Sequence, residues 1–439
     1  MEVFNDTTTN HNDIIYDDSS NLRIAAVAAC LSGWQSSKLA SAVKVNGRRP
    51  NRKTTDYDAV VKKINHLKRR KHLLFTRMYR LTPNLFDKIL TIIEPKLCPR
   101  KRRGKNFVPP IIKLCLGLRI LAGGSYLDLS FAYDVPMNTV HHYGWQALTA
   151  IDQSTNPFLD NIKSPIHATA EELAALEHGF AALSDFQLRG TIAAGDSIVF
   201  KMIMPTNEEV EGDVTAYYTQ KGYYAYGLQA FCDSKCKFVM IASKLCSSSN
   251  DNISYIVTQL SKDIKAGLLL QRYHVVLDEA YPCTSQEMSP WRGRNLSAEK
   301  DAFNYYVSLN RQVIERAFGI LVQRWGIFWR PLRISMHNRG VAIRVACKLH
   351  NLLIDEFGCE RIQSITRGAV PGFEGETDHQ INDFCAGSIM YTDGTPSLGQ
   401  GYRSDLEQCS HRDMWTEIIK ANGLTRPIFS KYSKRTVRS

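Results

Sequence analysis

The sequence lacks any long uninterrupted apolar run: its most apolar stretch, Ile111 to Ala122, is broken by Lys113 and Arg119. A membrane-spanning helix needs about 20 mostly apolar residues, so neither a span nor a membrane partner is expected. A secretory signal is not expected either, because Asp17 and Asp18 stand ahead of the short apolar run Ile24 to Leu31 where a basic segment would be needed. A framework of short-spaced cysteine pairs is missing too. There are 11 cysteines, an odd number, and those at Cys30, Cys115, Cys246 and Cys347 sit in apolar or mixed surroundings, so they read as reduced, intracellular core residues. Cys232 and Cys236 have the spacing of half a zinc site, but no second Cys/His pair follows at ligand spacing, and no zinc is expected.

Negative charge is scarce relative to positive. Lys and Arg number 55 against 43 Asp and Glu, a formal net charge of +12, which favours a polyanionic partner such as nucleic acid. A chain of 439 residues with 44% hydrophobic side chains can bury one large domain and a smaller one. Residues 1–22 are rich in Thr, Asn, Asp and Ser and hold too few apolar groups to order themselves. Residues 1–73 are therefore expected to be a disordered, basic tail. Basic residues cluster at Lys44 to Lys53, at Lys62 to Lys71, and at Arg100, Lys101, Arg102, Arg103 and Lys105. Three clusters about one small region point to phosphate contact, nuclear import or both, and the nucleus is the expected location.

Residues 74–155 have helical texture. Leu85, Ile89, Ile92 and Ile93 recur at helical spacing after the start signal Thr82-Pro83, and Ile111 to Ala122 continues the pattern. Ser125 to Ala132, a turn at Tyr133 to Pro136 and a run from Met137 to Leu148 have the phasing of a helix-turn-helix, with Ala132 and Val135 expected in the elbow and Val140 in the second helix. From residue 189 the texture becomes strand-like: Thr191 to Met204, Tyr223 to Phe231 and Phe238 to Cys246 are rich in β-branched and aromatic residues. A helix over Ile253 to Ala266, a buried strand Tyr273 to Leu277, and helices over Asp301 to Trp325 and Gly340 to Phe357 complete an α/β order, a mixed sheet with covering helices. Residues 357–439 lose periodicity and are expected to be a poorly ordered basic tail.

Three carboxylates stand out. Asp196 lies among apolar residues of the first strand, where an unpaired charge is costly. Asp278 directly follows a buried strand, at the end where α/β sheets gather ligands. Glu315 lies on the long helix, four residues after Arg311, an order less favourable for a simple surface ion pair. Acids on the first strand, after a later strand and on a following helix form the pattern by which a ribonuclease-H-like sheet converges three acids on two divalent cations.

Tyr218–Asp233 (YTQKGYYAYGLQAFCD), Lys300–Tyr306 (KDAFNYY), Arg311–Gly319 (RQVIERAFG) and Leu349–Leu352 (LHNL) resemble, in order, conserved blocks of the PIF/Harbinger superfamily of DDE transposases and the nucleases derived from them. The resemblance implies a nuclease core over residues 185–356 behind a helix-turn-helix-like region. It also implies Asp196, Asp278 and Glu315 as catalytic metal ligands, Asp251 as a further acid, and Mg²⁺ or Mn²⁺ as a pair of divalent cations. Asn250 stands where the family usually has His, and Val322 where it has a basic residue beside Gln323 and Arg324. Arg311 and Arg324 are expected DNA contacts beside these blocks, and Arg100, Lys101, Arg102 and Arg103 are expected DNA contacts from the basic cluster. The implied partners are transposon ends and target DNA, a separate Myb-like DNA-binding protein and a second copy of the chain. The alternative is a domesticated, catalytically silent DNA-binding or regulatory protein on the same fold.

Overall fold

The structure, a computed structural model, describes residues 55–98, 107–210, 212–246, 251–293, 295–362, 389–391 and 409–427. The first helix, α1 (Tyr57–Arg70), begins where the Asp56 side chain accepts the Ala59 N–H at 3.0 Å and ends on Lys68, Arg69 and Arg70, whose charges suit a helix C-terminus. It corrects the expectation of a tail through residue 73. Val60, Val61, Ile64 and Leu67 form an apolar stripe inside the basic run, and Ile64 is buried. Helices α2 (His72–Tyr79), α3 (Pro83–Leu97), α4 (Pro110–Leu121), α5 (Tyr126–Tyr133) and α6 (Met137–Asp152) complete a helical layer. Here α4 is buried on nearly every side. It crosses α6 closely because a Cβ on Gly144 would stand 2.4 Å from the Ile120 side chain, and one on Gly117 would stand 2.9 Å from the Gly144 carbonyl. Between α5 and α6 the chain turns through Asp134 at φ 49°. Tyr133 and Val135 fill this elbow; Ala132, expected there, is exposed, because the turn brings the larger Tyr133 ring inward, where its hydroxyl meets that of Tyr79 at 2.8 Å.

After α7 (Ala170–Leu183), started by a capping box between Thr169 and Glu172, comes the sheet. Strand β1 (Thr191–Lys201) lies at its centre. It runs antiparallel to β2 (Ala225–Cys232), which pairs with β3 (Phe238–Cys246); on its other side it runs parallel to β4 (His274–Val276), followed by β5 (Glu287–Met288). The edge of β1 beyond β4 is taken by β6 (Ile389–Tyr391), antiparallel at Ile198 to Phe200. Short helices α8 (Asp251–Ile256) and α9 (Gln259–Lys265) replace the single expected helix over Ile253 to Ala266, broken where Thr258 caps α9. The long helices α10 (Ala298–Arg324) and α11 (Met336–Phe357) start earlier than their apolar pattern suggests because Ser297 and Ser335 supply N-caps.

Alternation along β1 sends Ala194, Ile198 and Phe200 to one face, against Val313, Ile314 and Phe318 of α10 and Val341 and Val345 of α11. The opposite face packs Ala193 and Phe231 against Leu173, Tyr255 and Leu260. The architecture is the mixed α/β layering of a ribonuclease-H-like fold. The helical layer shares its hydrophobic core with α10 and α11, so from Thr55 onward one compact unit replaces the expected small and large units. Its seam is tied by Arg344, whose Nε and Nη2 meet both Asp152 carboxylate oxygens at 2.9 and 2.7 Å. A second correction falls in the expected C-terminal tail, where α12 (Ser410–Ala421) buries Ile419 with Val276, Met288, Phe303 and Val307. Trp415 and Ile419, four residues apart, give this helix an apolar side that a scan for longer periodic runs passes over. Among the described residues no helix is long and apolar enough to cross a membrane.

Candidate active site

The backbone brings the acids together. Residue 196 belongs to the set facing α10, and its carboxylate, 9% exposed, accepts the Ser197 N–H at 2.8 Å. The preceding Gly195 faces the other way, where any Cβ would fall 2.2 Å from the Phe231 ring. In the parallel register Ala194 lies opposite Val276; two residues further on, Asp278 leaves β4 at the level of Asp196. Leu277 still donates to Met288 at 2.9 Å, so the ladder holds the chain to the residue before Asp278.

Helix α10 supplies the third acid and a cation between the others. Arg311 Nη1 stands 2.5 Å from Glu315 Oε1, and Arg311 Nε stands 3.8 Å from Asp278 Oδ1. Burial disfavours the Arg311 charge, but the carboxylates of Glu315, Asp278 and Asp196 together outweigh it and hold its pKa above the ordinary arginine value. All three acids therefore act on one guanidinium.

Residues that sequence reasoning passed over fix this geometry. Asn310, fully buried beside Arg311, donates to Thr191 Oγ1 at 3.2 Å; Thr191, with its own proton free of that bond, meets His274 Nε2 at 2.9 Å. This chain of bonds pins α10 to β1 and β1 to β4, the elements carrying the acids. Tyr281 adds a bond from its hydroxyl to Gln229 Oε1 on β2 at 3.1 Å, while its N–H donates to the Asp278 carbonyl at 3.1 Å. A polar residue buried in an otherwise apolar helix face was the available signal for Asn310.

Other expected site residues fall elsewhere. Arg324 is buried, and its guanidinium donates to the Arg80 carbonyl. Placed so, it braces the helical layer. Burial, with Arg80 adding like charge, lowers its pKa to about 9. Val322 also faces the core, which accounts for an apolar residue at that position. Arg100, Lys101, Arg102 and Arg103 lie outside the described residues, as does the Asp251 side chain, whose backbone begins α8. In the second helix of the expected helix-turn-helix, Asn138, His141 and His142 are exposed, whereas Gln146 accepts from Lys113 Nζ at 3.0 Å.

Three carboxylates, without nitrogen or sulfur ligands, are the donor chemistry of a hard cation such as Mg²⁺. Among the described residues no three His, Cys, Asp or Glu side chains stand close enough to hold an ion together. In the present arrangement Arg311 supplies the positive charge these acids require. The set fits a divalent cation in chemistry.

Residues 195–351 match the family model of the DDE superfamily endonucleases. The matched segment contains Asp196, Asp278, Arg311 and Glu315, and it supports a DDE-type, transposase-derived nuclease. No curated protein and no solved structure matches the chain.

Proposed function

We propose that this chain is a PIF/Harbinger-type transposase or a nuclease derived from one, which cuts DNA phosphodiester bonds and joins strands. The observation that carries this reading is the convergence of Asp196, Asp278 and Glu315 on Arg311, beside the middle of β1 and just past the carboxyl end of β4. Asp196 and Asp278 would hold two divalent cations, Mg²⁺ or Mn²⁺, with Glu315 completing the set. Such a pair, when bound, activates the attacking hydroxyl and neutralises charge on the leaving oxygen. The chain itself supplies the rigid placement of the acids, through Asn310, Thr191 and His274, and a guanidinium that turns from Glu315 to a non-bridging phosphate oxygen. No protein nucleophile is needed. The basic N-terminal clusters supply phosphate affinity, a Myb-like partner supplies end recognition, the active assembly is a homodimer, and the site of action is the nucleus.

The test is cleavage of duplex DNA with added Mg²⁺ or Mn²⁺. Asp196→Asn, Asp278→Asn and Glu315→Gln should each remove cleavage to a similar extent, because groups forming one site do not contribute additively. Full cleavage by folded Asp278→Asn protein would defeat the reading. The same Arg311 pairing favours a second reading, a silent DNA-binding protein in which the guanidinium neutralises the acids permanently; wild-type protein that binds DNA and never cuts it would establish that instead.

A further inference from the structure

Away from the acids, two thiols from distant parts of the chain meet. Cys236 lies in the turn between β2 and β3, with φ 68°; its N–H donates to the Asp233 carbonyl at 3.1 Å and its carbonyl accepts from His350 Nε2 at 2.7 Å. It is 1% exposed. Cys359 directly follows Gly358, whose φ of 74° ends α11, and is half-buried. The two Sγ atoms stand 2.9 Å apart. A disulfide bond measures about 2.05 Å, so closure needs a movement of about 0.9 Å.

The two sulfurs differ in the way a redox pair requires. They share a hydrogen bond, which favours the thiolate on Cys359 and the proton on Cys236; the charge of Arg316 reinforces this at Cys359, and burial reinforces it at Cys236. Cys359 is thus the accessible nucleophile and Cys236 the buried resolving thiol.

We propose that Cys236 and Cys359 form a redox-active pair, a modification site at which an oxidised low-molecular-weight disulfide such as glutathione disulfide is exchanged for an intramolecular bond. The Cys359 thiolate attacks one sulfur of the oxidant, forming a mixed disulfide and releasing one thiolate. Cys236 then gives up its proton, attacks the Cys359 sulfur and expels the second thiol. Two cysteine thiols are oxidised while one disulfide is reduced to two thiols. The bond fastens the end of α11 to the β2–β3 turn and takes the thiolate away from Arg316, the residue next to Glu315 on α10.

The experiment incubates the full chain with glutathione disulfide, blocks remaining thiols by alkylation and maps the peptides. A Cys236–Cys359 cross-link reversed by dithiothreitol is expected, with Cys359 reacting about fivefold or more faster than the half-buried Cys98. Cys236→Ala should trap Cys359 as its glutathione mixed disulfide, and Cys359→Ala should leave Cys236 unmodified. Cys359 alkylated throughout, a mixed disulfide that persists in the wild-type chain, or a cross-link joining other cysteines in its place would each overturn the proposal.

Discussion

Arg311 shows how much one side chain can decide. It draws in three carboxylates that would otherwise repel one another, and in doing so it occupies the electrostatic role of a cation. Replacing it with Gln keeps most of the side-chain length and removes the charge. Glu315 is more than a third exposed, so solvent screens part of the loss, and a destabilisation of about 1–2 kcal/mol is expected. Added Mg²⁺ should then raise the melting temperature of Arg311→Gln more than that of the wild type. Equal responses from the two proteins would mean that the guanidinium and the cation do not compete. Asp196 stands out in the sequence because a charged group inside an apolar strand demands a partner, whereas Asp278 and Glu315 stand out by their places after a buried strand and four residues beyond Arg311. In the sequence Arg311 reads as a DNA contact: nothing in the order of residues says that its Nε turns toward Asp278 while its Nη1 takes Glu315.

Among the elements, β1 is the most constrained, buried from Thr191 to Phe200 and flanked by pairing strands. Gly195 lets the Phe231 ring lie flat against the strand next to the site. Gly195→Ala should destabilise the fold by about 1–3 kcal/mol through overpacking and displace Asp196, a loss measurable by chemical denaturation; unchanged stability would show that the ring can withdraw. Strands β1 to β4 were readable because β-branched runs and turn residues bracket them. Strand β5, with only Glu287 and Met288, and β6, with three residues, are too short to carry an alternation. Likewise α1 was hidden by its charges: Lys62, Lys63, Lys68, Arg69 and Arg70 make the stretch look like a tail until a neighbour for Ile64 is known. The elbow between α5 and α6 was placed correctly in the chain, yet which residue filled it depended on the turn at Asp134.

For the molecule as a whole, two buried histidines set an acid limit. Burial, with His411 adding, lowers the His274 pKa to about 3; burial lowers that of His350 to about 4 despite its bond to the Cys236 carbonyl. Both are neutral in the folded chain at pH values where the unfolded chain, titrating near 6.5, takes up protons. The unfolded state therefore binds more protons as pH falls, and stability drops by up to about 1.4 kcal/mol per pH unit for each residue between roughly pH 6 and 4. The urea midpoint should fall over that range, and His350→Gln should make the fall shallower; a midpoint flat from neutrality to pH 4.5 would contradict the assignment. The pairing of β1 with β6, and the packing of α12 on the start of α10, have a consequence for how the chain is made. Synthesis delivers the central strand early and its last edge partner late, so the outer half of β1 waits as an open edge while the intervening residues emerge. Long-range pairing of this kind slows folding, and an open apolar edge is a site of aggregation. The sheet-bearing part of this molecule completes its fold only after residue 419 has been added, and a chaperone that shields β1 during that interval would raise the yield of native protein.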